Sequence, residues 1–174
     1  MGRFVVYIAM SLDGYIAEKS GDVHWLEAFE KDDYGYGDFL GSIGSILMGR
    51  VTCEQILSHG SWPYGDIPSL VWSSRTIEKL PGSALQWTQN LEEAVSWLKD
   101  QAGEKDTWVL GGARTIQTFL KAGMIDRMDL FVVPVLLGEG KRLFESHPVE
   151  PQMLRLEGAQ PYANGVVHLT YKWR

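Results

Sequence analysis

The sequence predicts an α/β fold built on a mixed sheet, and three observations carry that reading. Strand-like and helix-like stretches alternate as far as Gly123, the pattern of strands joined by crossover helices. Twice an apolar run ends in glycine and passes straight into a helical pattern, at Met48-Gly49-Arg50 and at Leu110-Gly111-Gly112-Ala113. Near the end, two alternating segments flank Asn164-Gly165, a strong short-range signal for an antiparallel hairpin. At 174 residues the chain reads as a single domain over 1–174, long enough to cover a central sheet on both faces.

Phe4 to Met10 is the first buried strand, and Tyr15 to Ala17 resumes it beyond Asp13-Gly14. Glu18 to His24 is polar and reads as a loop. Trp25 to Gly44 reads as one or two short helices, whose Trp25, Phe29, Tyr34, Tyr36 and Phe39 serve either the core or one wall of a pocket for a flat ring. Ser45 to Met48 is a short buried strand, followed by a helix from Val51 to Leu57 with Cys53, Ile56 and Leu57 as its apolar face. Ser69 to Trp72 is the next strand, Ala84 to Trp87 another. Leu91 to Gln101 is a helix: Asn90 supplies the cap, and Leu91, Ala94, Val95 and Leu98 keep the helical spacing. Trp108 to Leu110 is a buried strand. The helix after it has Ile116, Phe119 and Leu120 on one face and ends at Gly123. Arg127 to Leu137 reads as a long apolar strand in which Pro134 points to an edge position or a bulge. Met153 to Ala159 and Val166 to Trp173 complete the hairpin.

The 16 basic and 22 acidic residues leave a net charge of -6, which argues against general binding to nucleic acid or an anionic membrane but allows a local basic pocket. Cys53 is the single cysteine, so an internal disulfide and a multi-cysteine zinc site are excluded, and a reducing, cytoplasmic setting is expected. His24, His59, His147 and His168 are too scattered for a metal-ligand pattern and read as surface or packing residues. Val5 to Met10 is too short for a secretory leader, and no stretch approaches the roughly 20 apolar residues of a membrane span.

Three strand ends carry groups suited to phosphate: Gly49-Arg50-Val51-Thr52, Ser73-Ser74-Arg75, and Gly111-Gly112-Ala113-Arg114-Thr115. The first N–H groups of a helix lack intrahelical partners and sit at the positive end of its dipole, so an anion can replace water there. Taken singly, each motif equally suits close packing or a solvated charge. Side by side beyond the strand ends, where α/β sheets bind ligands, they offer a site to a ligand with several phosphates, such as a dinucleotide.

With these motifs the chain resembles the dihydrofolate-reductase-like superfamily and, within it, the riboflavin-biosynthesis reductase C-terminal domain family with its stand-alone bacterial relatives. Its landmarks are Ala9-Met-Ser-Leu-Asp-Gly-Tyr-Ile-Ala17, Leu47-Met-Gly-Arg-Val-Thr-Cys-Glu54, Val109-Leu-Gly-Gly-Ala113 and Asp129-Leu-Phe-Val-Val-Pro-Val-Leu-Leu-Gly-Glu-Gly-Lys-Arg-Leu-Phe144, in order and nearly end to end. The resemblance implies a mixed sheet of about eight strands flanked by helices, with NADPH as hydride donor. In its terms Gly49, Arg50 and Thr52 hold the cofactor's phosphate groups. Ser74 and Arg75, with Ser73 beside them, read the adenosine 2′-phosphate. Gly111, Gly112 and Ala113, with Arg114 and Thr115 next, carry the pyrophosphate and nicotinamide ribose. A guanidinium and hydroxyls suit a phosphate dianion better than a bare ribose hydroxyl, which agrees with NADPH over NADH.

On the substrate side, the resemblance puts Asp13 beside the nicotinamide pocket, where it would hydrogen-bond substrate or order the loop that follows; a plain Asp-Gly turn suits it equally. Folate-reducing relatives place an acid shortly after a tryptophan to bind and help protonate the pterin. Glu30, after Trp25, is the nearest match, with Asp32 and Asp33 as competitors. Hydride transfer mainly requires that nicotinamide and acceptor be placed against each other and water excluded, so a dedicated acid is not essential. Riboflavin reductases often carry a basic residue after Ser-Leu-Asp-Gly and a fused zinc deaminase domain. Here Tyr15 follows the motif, and the chain has neither the length nor the cysteines for the deaminase. Tyr15 weakens the case for a phosphorylated sugar, though Lys141 and Arg142 remain as phosphate contacts. The expectation is an NADPH-dependent reductase of a pyrimidine- or pterin-like heterocycle, resembling 5-amino-6-(5-phosphoribosylamino)uracil reductase. The alternatives are a non-catalytic nucleotide-binding or sensor protein on the same fold, and a structural α/β protein whose glycines serve packing. Relatives often dimerise, and the Pro134 segment, Phe131 to Leu137, is the expected homodimer surface or else a buried core strand.

Overall fold

The computed structural model describes residues 2–77, 85–145 and 151–173. The expected strand start at Ala84, and His147, lie outside the described residues. In chain order the elements are β1 (Phe4–Ser11), β2 (Tyr15–Ala17), a 3-10 turn (His24–Phe29), α1 (Tyr36–Gly41), β3 (Ile43–Gly49), α2 (Arg50–Ser58), β4 (Ser69–Trp72) and β5 (Leu85–Thr88). They continue with α3 (Leu91–Ala102), β6 (Asp106–Gly111), α4 (Ala113–Lys121), β7 (Arg127–Val133), β8 (Lys141–Arg142), β9 (Leu154–Pro161) and β10 (Val167–Trp173).

Eight strands form one sheet in the order β5-β4-β3-β6-β1-β7-β10-β9. From β5 to β7 all neighbours are parallel, and β10 and β9 close the sheet as an antiparallel pair. The mixed α/β sheet of eight strands with a C-terminal hairpin is the predicted architecture. Side-chain alternation along β1 shows how the layers are built. Phe4, Val6, Ile8 and Met10 pack with Ala94 and Leu98 of α3 and Ile116 and Phe119 of α4. On the other face Val5 and Tyr7 meet Cys53 and Ile56 of α2 and Phe39 of α1. A strand covered on both faces needs apolar residues at successive positions, hence the unbroken run in β1. α3 has the predicted cap, Glu93 N–H donating to Asn90 Oδ1 at 3.0 Å.

Two expectations are corrected. β7 ends at Val133 and does not run on to Leu137, and it is no edge strand, because β1 and β10 pair with it on either side. Pro134, with no N–H to give, falls just past the last paired residue, and the chain then leaves the sheet, with Val135 O accepting from Leu12 N at 2.9 Å. Second, β2 does not resume β1 but pairs with β8 in a separate two-stranded ladder. The C-terminal hairpin turns around Asn164 and Gly165 as expected: the pairing closes at Pro161 opposite Val167, with both residues inside the five-residue connection.

Candidate active site

Because β4, β3, β6, β1 and β7 are adjacent and parallel, their C-terminal ends share one edge of the sheet. The register sets Gly49 opposite Trp72 and Met48 opposite Gly111, which makes the three predicted motifs neighbours. α2 begins at Gly49 and α4 at Gly112. Neither has a side-chain N-cap bond or an acid in its first turn, whereas the scaffold helix α3 has both. Two positive helix ends with free N–H donors therefore point at the same edge.

The junctions touch each other. A Cβ on Gly49 would lie 2.6 Å from Thr115 Oγ1, and one on Gly112 would lie 3.2 Å from Thr52 Oγ1. Gly111 has φ +142, which favours glycine, and the Gly111-Gly112 peptide is cis. Thr115 is buried under Gly49, while Ala113 is half-buried and Arg114 exposed. Arg50 pairs with Glu54 at 2.5 Å one turn along α2. On the next strand end Ser73 is buried, its Oγ accepting from Arg75 N and donating to Arg75 O, both at 2.9 Å. That turn leaves Ser74 and Arg75 exposed. Among the described residues neither Arg75 nor Arg114 has an ion-pair partner.

Asp13 follows the end of β1. Its carboxylate accepts from Ser11 Oγ at 2.6 Å, Leu137 N at 3.1 Å and Gly138 N at 2.7 Å. The Ser11 hydroxyl, together with the Gly138 and Leu137 amides, pulls its pKa down to about 2. The carboxylate thereby ties the β1 end to the loop after Pro134.

Glu30 lies elsewhere, on the wall of a cavity of about 370 Å³ over the C-terminal halves of β1 and β7. Tyr7, Phe131 and Tyr34 also line it, and so do Asp32 and Asp33, so all three acids weighed from the sequence face one space. The Tyr7 and Phe131 ring centroids are 4.5 Å apart, and burial raises the Tyr7 pKa, so its hydroxyl stays protonated and donates to Tyr34 O at 3.2 Å. Asn164 at the hairpin turn donates to Asp32 at 2.8 Å and to the Tyr34 hydroxyl at 2.5 Å. Of the aromatics left between core and pocket, Tyr34, Tyr36 and Phe29 line the cavity, and Phe39 packs between Tyr7 and Trp108.

Behind Phe131 sits a group the sequence reading did not single out. Asp129, fully buried, accepts from His168 Nε2 at 2.8 Å, Thr170 Oγ1 at 2.9 Å and Arg127 at 3.0 Å. Burial by itself would raise its pKa, but the bonds from His168, Arg127 and Thr170 outweigh it and hold the group below its ordinary value. His168 stacks on Phe131 with centroids 4.2 Å apart and thereby backs the aromatic wall. Charged residues alternating on β7 are the signal in the sequence; their partners come from β10.

The RibD C-terminal domain family matches residues 59–168. The chain belongs to that family. The Bacillus subtilis protein YyaP, itself uncharacterized, is 34% identical over 98% of this chain and 95% of its own length. A Shewanella sp. PV-4 protein assigned to riboflavin biosynthesis superposes with a TM-score of 0.86 at 29% identity, covering 99% of both chains. RibD of Acinetobacter baumannii shares the fold, with a TM-score of 0.71 at 18% identity, over 100% of this chain and 58% of that one. Membership in the RibD C-terminal family supports a reductase-like function of the riboflavin-pathway type. No described helix is long and apolar enough to cross a membrane, and no group of three or more potential metal ligands occurs among the described residues.

Proposed function

We propose that the protein is an NADPH-dependent reductase that delivers a hydride to a pyrimidine- or pterin-like heterocycle. One observation carries the reading: two uncapped helix N-termini meet at Gly49 and Gly112, next to the strand end from which the chain runs on to Arg75, and an aromatic cavity lies along the neighbouring strands β1 and β7. The residues present fit the cofactor. Gly49 and Gly112 let the two helix starts close on each other, while Arg75 and Arg114 have no ion-pair partner among the described residues.

In this reading the first turns of α2 and α4, with Arg50, Thr52, Ala113 and Arg114, hold the pyrophosphate. Ser73 shapes the turn that presents Ser74 and Arg75 to the 2′-phosphate. NADPH supplies the hydride, and the chain supplies placement and exclusion of water. Asp13 is ionised at neutral pH and bound to loop amides, so it orders the loop and does not donate a proton. Glu30 is the acid placed to hydrogen-bond the substrate. The reading includes a cytoplasmic setting and a homodimer. Leu156, exposed on edge strand β9, and Met153, exposed just before it, support the latter, and a sedimentation mass equal to one chain would end it.

The test is a titration of NADPH and NADH, followed by tryptophan quenching and energy transfer to the reduced nicotinamide, and then NADPH oxidation across a panel of heterocycles. Tight NADPH binding with substrate-dependent oxidation supports the proposal. NADPH binding without turnover on any acceptor points to a nucleotide sensor, and no binding at all leaves a likeness of fold only.

A further inference from the structure

We infer that the cavity selects a flat heterocycle bearing amino groups and no phosphate, so that the acceptor is an unphosphorylated base or nucleoside. The inference rests on the reductase reading and names the substrate class of that site.

Charge is sorted between the two parts of the site. The strand-end edge presents Arg50, Arg75 and Arg114. The cavity wall presents Glu30, Asp32 and Asp33 and, among the described residues, includes no lysine, arginine or histidine. Asp32 is held by Asn164 Nδ2 at 2.8 Å, whereas Glu30 and Asp33 have no ion-pair partner among the described residues. Two carboxylates without partners accept hydrogen bonds from exocyclic amino groups or a protonated ring nitrogen, and they repel a phosphate dianion. The rings of Tyr7, Tyr34 and Phe131 give a planar ligand faces and edges to pack on.

Arg142, one of the two basic residues offered by the sequence as a phosphate contact, is already engaged. The Arg142 guanidinium lies 4.6 Å from the centre of the Tyr15 ring and donates to the Tyr15 hydroxyl at 3.0 Å, which itself donates to Gly138 O at 3.1 Å. Tyr15 thus draws Arg142 into packing between β2 and β8. The cavity, about 370 Å³, lies within the range of small-ligand pockets, roughly 300–1,000 Å³.

The experiment is calorimetric titration of the full chain, with and without NADPH, using 5-amino-6-(ribosylamino)uracil and its 5′-phosphate as a matched pair. The nucleoside is expected to bind a few-fold more tightly (~2–5-fold), from repulsion between the exposed carboxylates and the phosphate dianion, screened by solvent. Glu30→Gln with Asp33→Asn narrows the gap, chiefly by tightening the phosphate form. Raising salt on the unaltered protein narrows it as well, which keeps the test independent of whether the variant folds. Equal or tighter binding of the phosphate, a gap untouched by both changes, or no binding of either probe overturns the inference. NADPH binding with a preference for the phosphate would sink this inference alone. Binding of the nucleoside without any binding of NADPH would sink the reductase reading instead.

Discussion

Gly49 faces Thr115 so closely that a Cβ on the glycine would stand 2.6 Å from the threonine Oγ1, which locks the start of α2 against the first turn of α4. Gly49→Ala is expected to destabilise the fold by about 1–3 kcal/mol through overpacking and to weaken NADPH binding by parting the two helix ends. Thr115→Ala in the same chain removes the obstructing oxygen and recovers most of the loss. Urea denaturation of both single variants and the double reads the coupling, and strictly additive effects would contradict the contact.

Arg75→Ala should cost NADPH about tenfold to a hundredfold in affinity and leave NADH unchanged, as expected for one charge-assisted contact to a phosphate. The turn beneath it is built by Ser73, whose bonds use only the Arg75 backbone, so the substitution spares the fold. Fluorescence titration of both cofactors decides the matter. Equal losses for the two would place Arg75 away from the 2′-phosphate.

Asp13 predicts an acid-side transition in one loop. Its pKa, about 2 in the fold, lies below the roughly 3.9 of an unfolded aspartate, so its contribution is complete above pH ~4 and is lost as pH falls toward 2. The Leu137 and Gly138 amide resonances should report titration of the tie over that window. Asp13→Ala should abolish the response and leave both amides unprotected against exchange at neutral pH. Protection retained in that variant would show that other contacts hold the loop.

Asp129→Ala should be the most damaging of these substitutions, at about 3–5 kcal/mol, because it strands Arg127 against β7 with no buried counter-charge. The folded pKa is lowered, so the carboxylate stabilises the protein above the unfolded value and that support fades as pH drops through the folded one. The destabilisation by Asp129→Ala should therefore shrink on acidification in thermal melts. A difference independent of pH would mean that the charge is not what matters.

The local features of the site were legible. Gly49 and Gly112 announce strand-to-helix junctions because glycine is required within the junction itself, and Asn90 announces a cap three residues from its partner Glu93. Features that depend on distant pairing were not. Asp13 was read as a turn residue, a substrate ligand or the tie of the loop that follows it, whereas the loop it holds is a distant one, with partners 124 and 125 positions away at Leu137 and Gly138. Pro134 suggested an edge strand because a proline marks a missing donor without saying whether the strand has already ended. The choice between pocket and core for Tyr34 and its neighbours depends on packing against Phe131, a residue distant in sequence, and so was not legible locally.

Asn164 joins the hairpin turn to Asp32 and Tyr34, across 132 and 130 positions of sequence. The far side of the cavity rim is thus supplied by the C-terminal hairpin, held in place by the pairing of β10 on β7. A ligand held in the cavity should therefore slow the release of the hairpin, so that occupancy is read out as slower unfolding of the strands that close the sheet.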